Sequence, residues 1–203
     1  MKYIIYSDGS YRNGIWGAGA VILRGEEPNF ETIKELSFAG VDSEGNNNVT
    51  GEIQGVLEAL RYLFKVNKKT QNVESITVYH DYTGLQKWAD NEWNRNKPLT
   101  VDYFQRIQKA RENFPISFVK VKAHSDNLFN DAADYLAKKA VDDYFKENKD
   151  YKPNKELSPN SLVTFAINVT VKKEDFDFGG GADGFSKWLQ EQQDNIIKVE
   201  PVI

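Results

Sequence analysis

Asp8, Glu52, Asp81 and Asp134 are the residues of this sequence whose type and placement suit chemistry. Asp8 follows the apolar run Tyr3-Ile4-Ile5-Tyr6, Asp81 closes SITVYHD, and Glu52 and Asp134 open two amphipathic segments. Carboxylates drawn together from separate elements repel one another, raise one another's pKa values and destabilise a fold unless cations neutralise them. Oxygen ligands in a chain with two histidines and no cysteine favour hard ions, Mg²⁺ with Mn²⁺ as substitute. Two such ions about 4 Å apart can activate a water and stabilise a leaving oxygen in phosphoryl transfer. Singly, each acid has a plainer reading: Asp8-Gly9 as a turn, Glu52 as a favourable charge near a helix start. The case for chemistry therefore rests on whether the elements bring the four together.

Consecutive apolar positions from Tyr3 to Tyr6 read as a strand buried on both faces, with Asp8 at its carboxyl end, where functional groups of open α/β sheets gather. Gly9 to Trp16 reads as a turn-rich connection, Gly17 to Gly25 as a second strand and Thr32 to Ala39 as a third, an antiparallel meander. Ile53, Val56, Leu57, Leu60 and Phe64 recur at helical spacing, which predicts a helix over Val49 to Asn67 with Glu52 in its first turn. A strand over Ser75 to Asp81, reached through that helix, should run parallel to the first and bring Asp81 out beside Asp8. Thr83 to Ala89 reads as a short helix, the spacing of Val101, Phe104, Ile107 and Ala110 as another, and Ile116 to Lys122 as a fifth strand. Asn130 to Asn148 is a helix with Ala133, Leu136, Ala137, Ala140, Val141, Tyr144 and Phe145 on one face and Asp131 and Asp134 in its first turn. The fold class is thus α/β: a mixed five-stranded sheet, three antiparallel strands then two parallel, flanked by helices.

The expected division is a catalytic domain over 1–148, a charged linker with two prolines over 149–161, and a small C-terminal α/β extension over 162–203. Absence of cysteine excludes disulfides and Cys-ligated zinc. The four apolar residues before Asp8 are too few for a signal-peptide core, and no segment approaches the ~20 apolar residues of a membrane span, so a cytoplasmic location without membrane association is expected. A net charge of −4 argues against a nucleic-acid partner at first sight, because phosphate binding relies on Lys and Arg. Four acids gathered to hold cations would account for that balance, and Lys68-Lys69, Lys120, Lys122 and Lys138-Lys139 remain to touch a backbone.

The motifs resemble those of type 1 ribonuclease H: YSDGS with Asp8, NVTGE with Glu52, VYHDYTGL with Asp81, and KAHSDNLFNDAADYLAKKA with His124 and Asp134, in that chain order. The resemblance spans about Met1 to Phe145. It implies a ribonuclease H-like sheet and two-metal hydrolysis of RNA paired to DNA, leaving a 5′-phosphate and a 3′-hydroxyl. In that family's pattern Asp8 bridges the metals, Glu52 and Asp81 complete the site that activates water, and Asp134 holds the leaving-group metal. His124 matches a histidine that assists product departure by proton transfer, which suits an imidazole near neutral pH. Asn48 matches an asparagine that touches the hybrid in its minor groove, where a polar group can read the RNA 2′-hydroxyl. Asn13 resembles a second substrate-contacting asparagine, Trp88 stands in the region that grips substrate, and Asn47 reads as no more than a helix cap.

There are departures from the pattern. Tyr82-Thr83 replaces the Ser and Gln of many relatives, and DYTGLQKWADNEW looks more like the branch often fused to an N-terminal hybrid-binding domain; a catalytic domain without that module is expected. The basic protrusion of some relatives is reduced to Lys87, Arg95 and Lys97 around Trp88 and Trp93, which predicts weak, salt-sensitive hybrid binding. Phe185, Lys187 and Trp188 of the extension offer extra grip, although a packing or partner surface is the better expectation for so acidic an appendage. Two other readings stay open: a non-catalytic nucleic-acid or protein-binding module, against which four intact acids and a histidine count, and a DNA nuclease such as a junction resolvase or transposase core. A monomer is expected.

Overall fold

Asn13 and Gly14 both have positive φ, 50° and 82°, the backbone that a two-residue type I′ hairpin turn requires. They join β1 (Lys2–Arg12) to β2 (Ile15–Glu26), with Arg12 opposite Ile15. In the computed structural model, which describes residues 1–26, 28–70, 72–121 and 127–152, this hairpin is longer than expected. Asp8 does not end β1: the antiparallel ladder continues past it to the Asn-Gly tip, so Gly9 to Trp16 is strand and turn, not a connection. His124, residues 153–161 of the linker and the whole C-terminal extension lie outside the described residues.

The third strand, β3 (Asn29–Val41), pairs antiparallel with β2. Helix α1 (Asn48–Thr70) leads to β4 (Ser75–His80), which pairs parallel with β1, as a crossover connection requires. Then follow α2 (Thr83–Ala89), α3 (Pro98–Arg111), β5 (Ile116–Lys120), parallel to β4, and α4 (Leu128–Glu147). The sheet order β3-β2-β1-β4-β5 is the mixed five-stranded sheet read from the sequence. Two helix starts differ from expectation. Because α1 begins at Asn48 and α4 at Leu128, Glu52 and Asp134 fall in second turns, not first. In α4 the reason is Asn127, whose side chain accepts from the N–H of Phe129 and Asn130 at 3.2 Å each and caps the helix three residues before its expected start at Asn130. The fifth strand stops at Lys120, two residues early.

The period-two alternation of β2 divides the core. Ala20 and Ile22 pack with Ile53 and Val56 of α1 and with Tyr103 and Ile107 of α3. Val21 and Leu23 point to the opposite face and join Tyr6 with Ala133 and Leu136 of α4. Ile53, Ile107 and Leu23 have no exposed surface, and burying each such side chain stabilises by roughly 1.5–3 kcal/mol. α4 lies close against β2 because Gly19 has no side chain; a Cβ there would overlap the Ala133 carbonyl and the Ala137 amide.

Candidate active site

Strand register places two of the acids. Tyr6 pairs with Tyr79 as the last rung between β1 and β4, so Asp8 and Asp81, each two residues further on, emerge level with one another. The parallel ladder has ended there while the β1–β2 ladder continues, which leaves Asp8 on rigid backbone opposite Gly19 with an open side towards β4. Glu52 arrives from α1 across Gly9. A Cβ at Gly9 would lie 2.5 Å from the Glu52 amide nitrogen and 2.8 Å from its Cγ, so only glycine lets the helix bring this carboxylate to Asp8.

One carboxylate oxygen from each of Asp8, Glu52 and Asp81 lies within 4.8 Å of the other two. Asp8 is 8% exposed and Glu52 2%, whereas Asp81 is half-buried. Burial first, and then the neighbouring Asp81 charge, push the Asp8 carboxyl up to about 7; its hydrogen bond from the Gly9 N–H, 2.7 Å, works the other way. Glu52 is held well above the usual carboxylate range by burial and by Asp8 and Asp81, and the hydrogen bond between the two acids favours the proton on Glu52. Glu52 Oε2 is buried with no hydrogen-bond partner among the described residues. A buried carboxylate oxygen without a donor, beside two others, is costly unless a cation satisfies it, so the donor set fits a hard divalent ion.

Asp134 stands near enough to raise the Asp8 pKa but outside the group of three. Its Oδ2 accepts from Lys138 Nζ at 2.7 Å, one helical turn on. Asn48 is exposed at the start of α1, and Asn13 is exposed at the tip of the first hairpin. Asn47 has φ 55°, a left-handed backbone, and its N–H is bonded to Asp42 Oδ2 at 2.7 Å. Trp88 is 9% exposed, with its ring against Tyr82 and Trp93; it forms a wall of a groove of ≈ 320 Å³ that also takes in Asn46, Tyr82, Lys97 and Thr100. Asn46 and Thr100 were not among the residues singled out from sequence. The Asn-rich stretches 46–48 and 91–96 were their signal, since polar amides flanking a catalytic strand end are suited to a polar substrate.

The RNase H family model matches residues 1–142 of the chain. A ribonuclease H of Clostridium botulinum (strain Hall) is 32% identical over 161 residues, covering 70% of this chain and 97% of that protein. A ribonuclease H of Chlorobium phaeovibrioides is 30% identical over 154 residues, covering 69% and 95%. Among solved structures, RNase H1 from the halophilic archaeon Halobacterium salinarum NRC-1 superposes with a TM-score of 0.58 at 20% identity, covering 70% of this chain and 99% of that one. LC11-RNase H1 in complex with RNA/DNA hybrid gives 0.55 at 21% identity, covering 68% and 99%. At such identities the structural likeness speaks for the fold.

Proposed function

The chain belongs to the RNase H family, and on that premise we propose that it is an endoribonuclease that hydrolyses the RNA strand of RNA–DNA hybrids with two Mg²⁺ ions, Mn²⁺ substituting, to leave 5′-phosphate and 3′-hydroxyl ends. The observation that carries the reading is the trio Asp8, Glu52 and Asp81, with a buried Glu52 oxygen that has no partner among the described residues, in a chain that the RNase H family model matches over residues 1–142. The divalent dependence follows from that donor set; the choice of Mg²⁺ follows from its all-oxygen character. Asp8, Glu52 and Asp81 would hold one ion, and Asp134 would help to hold a second if it gave up its bond from Lys138. When bound, such ions would supply Lewis acidity to the scissile phosphate and to a water.

The protein's own contribution is placement. β1 holds Asp8 on paired backbone, Asp81 follows directly on the end of β4, α1 delivers Glu52 across the bare Gly9, and the low exposure of Asp8 and Glu52 strengthens their hold on a cation. His124 we assign to proton transfer at product departure, and Asn48, Asn13 and Trp88 to substrate contact. The activity belongs to a catalytic domain over 1–148, acting as a cytoplasmic monomer; among the described residues no helix is long and apolar enough to cross a membrane.

One labelled RNA presented as hybrid, as duplex RNA and as single strand, with Mg²⁺, Mn²⁺ or EDTA, tests the proposal. Metal-dependent cutting of the hybrid alone, lost in Asp8→Asn, is the expected result. Folded protein that cuts none of the three with either metal would overturn it.

A further inference from the structure

The two asparagines assigned to substrate contact are 35 positions apart in sequence, yet one residue between them bonds to both of their loops. Asp42 follows β3. Its backbone N–H donates to the Gly14 carbonyl at 2.8 Å, at the tip of the β1–β2 hairpin, next to Asn13. Its carboxylate accepts from the N–H of Asn46 at 3.1 Å through Oδ1 and from the N–H of Asn47 at 2.7 Å through Oδ2. Asn47 is held in the left-handed region at φ 55°, which a side-chain amide tolerates but which a free loop would leave; Asn48 follows at once as the first residue of α1. Lys97 Nζ closes the far side by donating to Asn46 Oδ1 at 2.7 Å. A carboxylate that accepts two consecutive backbone amides is charge-assisted at both bonds and fixes the approach to the helix more tightly than a neutral acceptor would.

We propose that Asp42 is a positioning residue for substrate: it staples the Asn13 hairpin tip to the Asn48 helix start, so that the two asparagines present one pre-set spacing to the hybrid. The proposal rests on the reading that Asn13 and Asn48 touch substrate. Asp42 itself touches no reacting group and stands outside the carboxylate trio. Its effect therefore falls on binding: without the carboxylate the hairpin tip keeps its backbone bond but the 46–47 loop, and Asn48 with it, must be ordered as the hybrid docks, and that cost appears in KM.

Steady-state cleavage of a hybrid by wild type, Asp42→Ala, Asp42→Asn, Asn13→Ala, Asn48→Ala and the double variant Asp42→Ala/Asn48→Ala tests this, with thermal melting of each protein alongside. Loss of the two side-chain bonds should raise KM about five- to tenfold while kcat stays within about twofold. Asp42→Asn keeps one acceptor oxygen and should fall between wild type and alanine, which also serves if Asp42→Ala fails to fold. The double variant should raise KM by less than the product of the two singles, because Asn48 without its staple is already misplaced. If the asparagine variants raise KM and the Asp42 variants lower only the melting temperature, Asp42 is structural and the staple is overturned. If Asn13→Ala and Asn48→Ala both leave KM unchanged, the substrate reading itself fails and the staple falls with it. Equal losses in kcat and kcat/KM for Asp42→Asn would also overturn it, since the residue would then act on the chemical step.

Discussion

Asp8 is the residue on which folding and function make opposite demands. Its carboxyl sits at about 7 in the metal-free fold against an ordinary 3.8, so between those values the folded state holds a proton that the unfolded chain has already released. Asp8 therefore contributes stability to the metal-free protein that is lost as pH rises from about 4 to about 7, the direction opposite to that of a salt-bridged carboxylate. Melting in EDTA should show the wild-type midpoint declining relative to that of Asp8→Asn across that range, with the variant, which has no proton to lose at this position, melting higher at pH 8. A wild-type midpoint that instead climbs steadily with pH, in step with the variant, would remove the buried-carboxylate account. Added Mg²⁺ should reverse the order of stability at pH 8, because only the wild type gains binding energy. Metal affinity should itself rise with pH, because Asp8 and Glu52 both hold protons in the metal-free fold that an ion must displace, as calorimetric titration at several pH values would show. Activity of Asp8→Asn should be about 10³-fold down or lower, a loss that stability cannot explain when the variant is the more robust protein without metal.

At the scale of elements the site depends on close approach. Gly9 and Gly19 let α1 and α4 lie against β1 and β2, and neither can take a side chain without displacing backbone. Gly19→Ala should cost about 1–3 kcal/mol in urea denaturation by pushing α4, and with it Asp134, off the sheet; an unchanged midpoint would show that the helix slides freely. Asn127→Ala removes the α4 cap and should cost about 1 kcal/mol in the same assay. These contacts also show what the sequence made legible. The apolar period of Ile53, Val56 and Leu60 located α1, and the run SITVYH located β4, so the meeting of Asp8 with Asp81 followed from topology, whereas the approach of Glu52 depends on the bare Gly9 and rested on the family resemblance. The hairpin reach was misjudged because Gly9, Ser10 and the following polar residues carry no apolar alternation; the I′ signature Asn13-Gly14 was the better guide to where β1 turns. Helix starts were placed late, at Val49 and Asn130, whereas Asn48 at the start of α1 and the cap Asn127 before α4 set them earlier. The engagement of Asp134 with Lys138 was invisible for a different reason: an i, i+4 acid–lysine pair competes with metal ligation, and spacing alone does not say which interaction holds without the ion.

Across the whole molecule the question is how a chain of net charge −4 holds a polyanion. Repulsion from the surplus acids is partly removed when the site takes up cations, but grip on the backbone still needs lysine and arginine, and among the described residues three cations around Trp88 and Trp93 are already engaged. Lys87 pairs with Glu92, Arg95 stacks over Phe104 at 4.0 Å and bonds Asn91, and Lys97 is bonded to Asn46. Few phosphates can then be neutralised. With about three, log affinity should fall against log salt with a slope of roughly −2 to −3, so the hybrid should bind some ten- to sixtyfold more weakly at 200 mM than at 50 mM salt. Because the Lys87–Glu92 pair is half-exposed and intrinsically weak, Glu92→Gln should free the lysine at little cost to the fold, tighten binding about twofold at low salt and steepen the slope by up to one unit. Anisotropy with a labelled hybrid and a catalytically dead Asp8→Asn background, in Ca²⁺ in place of Mg²⁺, gives both slopes directly. Affinity that stays nearly constant across the titration would mean that the asparagines and aromatic walls, not charge, supply the hold, and Glu92→Gln would then change nothing.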